Sequence, residues 1–128
     1  MCVTKGSLPN GYTNGMNVQL ESYSGTGPTD DGRIKPDVVA NGQQLHTTYS
    51  TATNGYADVS GTSFAAPSVS GSLALIQEFH NRVYVTNAPM LSSTLKGIAI
   101  HTAYDIGNTG PDYTFGWGLM ATPSSAWS

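Results

Sequence analysis

The stretch from residue 64 to about residue 82 most constrains how this chain can fold. It carries no proline after Pro67 and is rich in alanine, valine and leucine, a pattern that predicts one long helix. Pro67 is expected in the first turn, where a missing N–H costs nothing. Surface helices show a polar face, but the first three turns here carry only small serines between apolar residues. The sequence therefore predicts a helix that is surrounded by protein.

Short strands and one further helix accompany this segment. The patterns predict strands at about 16–23, 37–40 and 44–49 and a second helix at about 92–102. Short strands that precede helices are typical of α/β proteins. These strands are too few to enclose the long helix on every side. The chain is therefore interpreted as part of a domain.

Charge and hydropathy exclude several functional classes. The 128 residues carry 5 Lys+Arg against 8 Asp+Glu, a net charge of −3, without a basic run. Nucleic acids and anionic membranes attract clustered cations, so neither is a predicted partner. The apolar run at 73–76 is far too short to span a bilayer, and the first residues predict no signal peptide. A single cysteine, Cys2, precludes an internal disulfide.

Ser63 is the candidate catalytic residue, because it stands in a Gly-Thr-Ser run just before the predicted helix. A serine at a helix N-terminus has a backbone N–H without an intrahelical partner, and the helix dipole favours negative charge there. Both properties suit a nucleophile that must stabilise an oxyanion. Serine and threonine are also the commonest helix caps. From these residues alone, Ser63 is either a nucleophile or a cap.

Longer motifs favour the first alternative. The run Gly-Thr-Ser-Phe-Ala-Ala-Pro at 61–67 resembles the serine signature of subtilisin-like proteases, Gly-Thr-Ser-x-Ala-x-Pro, at every fixed position. Residues 31–42 resemble the segment that leads towards that serine, and residues 110–119 are similar to the closing Tyr-Gly-x-Gly-Leu element. Asn41 departs from the family pattern, which usually has proline there. Three matches in the right order identify the chain as a member of this family.

The resemblance implies a fold and a role for Ser63. The fold would be a three-layer α/β domain with a mostly parallel sheet and a buried serine-bearing helix, and residues 1–128 would form its C-terminal half. Ser63 would be the nucleophile of a serine endopeptidase, and its backbone N–H would form half of the oxyanion hole. The substrates would be polypeptides, and the protein would be secreted or bound to the cell envelope.

The other triad members are missing from this sequence. The family takes its carboxylate from an Asp-(Ser/Thr)-Gly motif and its base from a His-Gly-Thr motif, and neither occurs here. None of the three histidines carries the signature: they are His46, His80 and His101. The isolated chain is therefore predicted to be inactive. Its predicted partner is the missing N-terminal half of the domain.

Two other functional classes remain open. The chain could belong to a binding module that kept this fold while losing catalysis, or to a stand-alone structural domain that shares only the serine motif. No cofactor is predicted. A structural calcium ion in the complete domain is left open by the resemblance, but Asp105, Asn108 and Asp112 match no calcium loop and favour turn formation.

Overall fold

A small mixed sheet organises the first part of the chain. The computed structural model describes residues 2–4, 18–50, 52–84 and 88–121. Strand β1 (Cys2–Thr4) pairs antiparallel with β2 (Gln19–Leu20) and parallel with β3 (Ala40–Asn41), in the order β2-β1-β3. The strand predicted at 37–40 begins later than expected. Of the strand predicted at 16–23, only 19–20 is a strand, and residues 16 and 17 lie outside the described residues.

The last part of the chain extends this sheet beyond β3. Val39 bridges Leu119 in parallel, with hydrogen bonds from Val39 N–H to Gly118 C=O (3.0 Å) and from Met120 N–H to Val39 C=O (2.8 Å). Leu119 also bridges Tyr104 in antiparallel fashion. These pairings bury one apolar cluster, which comprises Val18, Val39, Ile106 and Leu119 with Leu20 and Phe115 packed against it.

A separate hairpin leads towards Ser63. Strands β4 (Leu45–Thr48) and β5 (Tyr56–Val59) pair antiparallel, with Leu45 opposite Val59 and Thr48 opposite Tyr56. The strand predicted at 44–49 is confirmed, whereas β5 was not predicted. Burial in β5 alternates between exposed and half-buried residues, as expected for a strand with one covered face.

Both predicted helices are present. Helix α1 (Thr62–Tyr84) is two residues longer at each end than predicted, and α2 (Ser92–His101) ends one residue earlier. The expectation for Pro67 was wrong. Because α1 begins at Thr62, Pro67 is its sixth residue and removes the N–H that would bond to the carbonyl of Ser63. No helix in the described part of the chain is long and apolar enough to cross a membrane.

Within this chain, α1 is largely uncovered. It contacts β1, β3 and α2, but Ala65 is its only buried residue. Leu75 keeps 47% and Tyr84 keeps 70% of its surface exposed. The helix that the sequence predicts to be surrounded by protein thus lacks most of its cover here. The α/β class agrees with two helices and short strands, but the named strands of the described residues form one parallel and two antiparallel pairs rather than a mostly parallel sheet.

A carboxylate clamp ties the segment before β3 to α2. Asp37 accepts a hydrogen bond from Lys35 Nζ and pairs with Lys96 Nζ at 3.1 Å. Partial burial would raise the pKa of Asp37, but the two ammonium groups outweigh it and hold this pKa below its ordinary value. Because the pKa of Asp37 is lower in the folded state than in the unfolded state, the clamp stabilises the fold fully at pH values above the pKa of the unfolded state. This stabilisation is lost as the pH falls through the pKa of the folded state.

We expect Lys96→Met to lower the urea midpoint of unfolding at pH 7 and to change it much less near pH 2.5, below the ordinary carboxyl range of about 4. Below the ordinary carboxyl range the stabilisation by the clamp falls as Asp37 takes up its proton, so removing Lys96 has less effect there. Arg82→Met is the control, since Arg82 belongs to an exposed pair with Glu78 on α1. An equal loss for Lys96→Met at both pH values would contradict the clamp.

Candidate active site

A rigid turn between β5 and α1 presents Ser63. Gly61 N–H donates to Gly42 C=O at 2.8 Å, and Gly61 C=O accepts from Phe64 N–H at 3.0 Å, which starts the helix. Gln44 N–H donates to the Ser60 hydroxyl oxygen at 3.0 Å. Sequence reasoning did not single out Ser60 or Gly42, because their role depends on contacts between distant parts of the chain. The turn is therefore held at both sides before the helix begins.

Ser63 is the second residue of α1 and is exposed to solvent. Among the described residues, neither its hydroxyl nor its backbone N–H has a hydrogen-bond partner. Its N–H lies in the first turn, where donors point away from the helix and the dipole favours an anion. The first turn contains no acidic residue that would oppose this. The position can therefore offer a hydroxyl and an amide donor to the same bound group.

Two alanines hold the first turn against the sheet. Ala65 is fully buried and packs with Ala40 of β3, and Val69 and Met120 pack around this pair. A methyl group on each side lets α1 approach the strand closely, whereas a larger side chain at either position would push the helix away. Ser63 thus projects from the turn of α1 that is best anchored in the described structure.

His46 has a carboxylate partner, but it does not contact Ser63. Its Nδ1 lies 2.8 Å from Asp58 Oδ1 across the hairpin, and its ring stacks on Tyr56 with centroids 5.5 Å apart. The side chain of His46 is 70% exposed and that of Asp58 is 67% exposed. Sequence analysis missed Asp58, because a two-residue turn at Asn54-Gly55 predicts a different register from the observed one, which pairs Thr48 with Tyr56 and His46 with Asp58. This pair joins β4 to β5.

The other two histidines are also away from the serine. His80 follows Ser63 by 17 positions in the same helix, which corresponds to about 25 Å along its axis. Its ring packs against Tyr84, with centroids 4.9 Å apart. His101 is the last residue of α2 and is exposed. In the described residues, no histidine is hydrogen-bonded to Ser63, so the base that would activate it is not provided by these contacts.

The acidic residues near the chain end organise turns. Asp112 Oδ1 accepts from Thr114 N–H at 2.8 Å and from Phe115 N–H at 2.7 Å, and Asp105 Oδ2 accepts from Gly110 N–H at 2.8 Å. The backbone amides therefore take up oxygens that a cation would need. No group of three or more His, Cys, Asp or Glu side chains in the described ranges could hold a metal ion.

Two glycines bring this part of the chain against neighbouring backbone segments. Gly116 has φ +66° and Gly118 has φ +118°, a region that disfavours side chains. A Cβ on Gly116 would lie 2.0 Å from the Pro36 carbonyl oxygen, and one on Gly118 would lie 2.3 Å from that of Tyr104. The Gly-Trp-Gly run is thus required for the close approach of two backbones.

Comparison with known proteins decides the family. The profile of the subtilase family, peptidase S8, matches residues 7–118, which include the serine turn, both helices and the Gly-Trp-Gly run. The chain belongs to the subtilase family. Subtilases as a family are serine proteases.

Several known proteins are similar to the chain. It is 37% identical to a C5a peptidase of Streptococcus pyogenes over 87 residues, which is 68% of this chain and 7% of that protein. It is 43% identical to pyrolysin of Pyrococcus furiosus over 60 residues, 47% of the chain and 4% of pyrolysin. It is 36% identical to the PIII-type proteinase of Lactococcus lactis over 101 residues, 77% of the chain and 5% of that proteinase. The matched region is thus a small part of each relative.

Proposed function

We propose that this chain supplies the nucleophile of a subtilisin-like serine endopeptidase, and that the base and its carboxylate come from polypeptide outside these 128 residues. The observation that carries the proposal is the position of Ser63: it is exposed, its hydroxyl and N–H are free among the described contacts, and it lies in the first turn of α1, which Ala65 anchors. The absence of a hydrogen-bonded histidine in the described residues supports an external base.

The reaction would proceed through an acyl-enzyme. An imidazole takes the Ser63 proton as Oγ attacks the carbonyl carbon of the scissile peptide bond. The Ser63 N–H then donates to the resulting oxyanion, and the orphan amides of the first turn add their favourable dipole. The protonated imidazole gives its proton to the leaving amine. Water next hydrolyses the ester and frees Ser63.

The uncovered side of α1 supports a missing half of the domain. Ser68, Gly71 and Leu75 share one face of the helix and are exposed. Burying a leucine is worth roughly 1.5–3 kcal/mol, so leaving such residues in water is costly. We propose that the N-terminal half of the peptidase domain covers this face and completes a three-layer, mostly parallel α/β fold.

The serines of α1 are suited to such burial. The hydroxyls of Ser68, Ser70 and Ser72 donate to the carbonyls of Phe64, Ala66 and Ser68 at 3.1, 3.2 and 2.9 Å. A buried hydroxyl without a partner is costly, but these three already bond to their own helix. A protein surface could therefore pack on them without supplying polar groups.

Labelling with a fluorophosphonate probe tests the proposal. The isolated chain should be labelled no more than its Ser63→Ala variant, because an unactivated serine is an ordinary alcohol. The parent polypeptide, in which this chain follows Asp-(Ser/Thr)-Gly and His-Gly-Thr motifs, should be labelled at Ser63. Peptide mapping by mass spectrometry identifies the labelled residue.

Each outcome has a distinct meaning. Strong Ser63 labelling of the isolated chain would show that the base lies within these 128 residues, against the proposal. A parent polypeptide with both motifs that folds but does not label would favour the catalytically dead binding module. Folding of the parent is verified by cooperative unfolding before the labelling result is interpreted.

We expect Gly71→Leu to stabilise the isolated chain slightly but to reduce Ser63 labelling of the parent polypeptide. In the isolated chain, nothing lies within 4 Å of a Cβ at Gly71, and leucine is a better helix former than glycine by roughly 0.5–1 kcal/mol, so the variant should be slightly stabilised. In the parent polypeptide, the leucine would fill space required by the N-terminal half. Ser63 labelling should then fall several-fold.

Gly97→Leu is the matched control, since Gly97 is also an exposed helical glycine with open space at its Cβ, but it lies on α2. It should stabilise the isolated chain in the same way and leave the labelling of the parent largely intact. Equal labelling by the two variants would count against docking on the Gly71 face.

Family membership also supports a location and a substrate class. We propose that the parent acts on polypeptides outside the cytoplasm, as a secreted or cell-envelope enzyme. Fractionation of the producing cells, followed by probe labelling of each fraction, tests the location. Activity confined to the cytoplasm would contradict it.

A further inference from the structure

Two Asn-Gly pairs in the described residues differ sharply in their surroundings: Asn41-Gly42 and Asn54-Gly55. An asparagine can react with the backbone nitrogen of the next residue. Glycine in that position leaves this nitrogen free to approach and attack the side-chain carbonyl carbon, because glycine has no Cβ. Whether such a pair reacts in a folded protein depends on how firmly the structure holds it.

Asn54 lies in the exposed turn between β4 and β5. Its side-chain amide makes no hydrogen bond to any described residue. The Gly55 N–H donates to Ala52 C=O at 3.0 Å, and the Gly55 carbonyl accepts from Tyr49 N–H at 2.9 Å. A single hydrogen bond of this kind stabilises the turn by only about 0.5–1.5 kcal/mol. Local opening of the turn therefore breaks it frequently and frees the Gly55 nitrogen.

Asn41 is held far more firmly. It belongs to β3, which pairs with β1, and Val39 just before β3 is hydrogen-bonded to residues 118–120. Its Oδ1 accepts from Gln43 N–H at 3.2 Å, and the following Gly42 is buried and bonded to Gly61 N–H. Reaction at Asn41 would require a larger opening that separates β3 from its neighbours.

We propose that Asn54 is a site of spontaneous deamidation in this protein. The Gly55 nitrogen loses its proton to a base and attacks Asn54 Cγ, which forms a C–N bond. The bond from Cγ to the amide nitrogen breaks, and ammonia leaves with that proton. Water then opens the cyclic imide at either carbonyl and yields aspartate or isoaspartate.

The modification changes the hairpin that precedes Ser63. Either product adds one negative charge to a chain whose net charge is already −3. Isoaspartate also lengthens the backbone by one methylene in the turn that sets the register of β4 against β5. The hydrogen bond from Tyr49 N–H to Gly55 C=O is the first contact that this extra length disturbs.

The test follows both asparagines during incubation of the chain in mildly alkaline buffer, with and without urea. Peptide mapping that separates aspartate from isoaspartate gives the conversion at each site, including Asn10 and Asn14, which are scored separately. We expect Asn54 to convert several-fold faster than Asn41 in buffer, and this ratio to approach one in urea, where the structural difference is lost.

Two variants make the result specific. Asn54→Gln should abolish the product at this position, and Gly55→Ala should slow it by placing a Cβ beside the reacting nitrogen. Conversion of Asn41 at the same rate as Asn54 in buffer would overturn the proposal, as would an unmodified Asn54. Neither result bears on Ser63, whose role is tested by the probe.

Discussion

In the parent polypeptide, we expect Ser63→Ala to reduce peptide hydrolysis by about 10⁶-fold in kcat, which is the loss measured when subtilisin itself loses its nucleophile. The alanine keeps the backbone N–H at the start of α1, so the oxyanion donor and the helix dipole remain. What disappears is the hydroxyl that forms the acyl-enzyme. Binding of a substrate-like inhibitor should therefore change little while turnover is lost.

His46→Ala and Ser93→Ala are the controls for this experiment. His46 is the histidine that already has a carboxylate partner, Asp58 at 2.8 Å, and it would be the base if the hairpin supplied one. Ser93 is an exposed serine in the first turn of α2. Both variants should retain nearly full activity. A loss for His46→Ala comparable to that for Ser63→Ala would place the base in this chain and reject the external one.

The long helix was predictable because its signal is local. Nineteen positions, 64–82, carry no proline after Pro67, their first three turns hold only apolar and small residues, and the structure extends the helix by two residues at each end. The start was misplaced because it depends on Gly61, whose carbonyl accepts from Phe64 N–H and whose N–H donates to the Gly42 carbonyl. This error moved Pro67 from the first turn to the sixth position of the helix.

The contacts around the site were less predictable because they join distant residues. Strand β5 is only four residues long and contains Asp58, so its strand signal is weak without its partner β4. The His46–Asp58 pair and the Gln44–Ser60 hydrogen bond arise only once the hairpin register exists. Ser63 itself came from a seven-residue motif, which is local information of the same kind as the helix pattern.

For helix α1, the local sequence pattern and the contacts observed in the structure can be compared directly. The pattern at 64–82 predicts a helix enclosed by protein, and the structure buries only Ala65 of it. If the proposed N-terminal half covers this helix, the local pattern reflects the surroundings in which the helix functions. The exposed face at Ser68, Gly71 and Leu75 is therefore the clearest physical argument that Ser63 operates within a larger domain.

We expect Gly116→Ala to destabilise the fold by about 2–5 kcal/mol, a large share of the 5–15 kcal/mol typical of a domain. Two costs add. Alanine at φ +66° pays the left-handed penalty, and its Cβ would lie 2.0 Å from the Pro36 carbonyl oxygen, so two backbone segments must separate. Because Trp117 N–H donates to Asp37 C=O in the same contact, that separation also weakens the packing before β3. Urea unfolding followed by tryptophan fluorescence measures the change.

Two further glycines separate these costs. Gly110 has φ +81° but open space around its Cβ, so Gly110→Ala should cost only the conformational part, about 1–2 kcal/mol. Gly25 has neither a positive φ nor a neighbour within 4 Å, so Gly25→Ala should be nearly neutral. The expected order of destabilisation is therefore Gly116, then Gly110, then Gly25. If Gly116→Ala cost no more than Gly110→Ala, the close approach of residues 116–118 to Pro36 would not contribute to stability, and the Gly-Trp-Gly run would need another explanation.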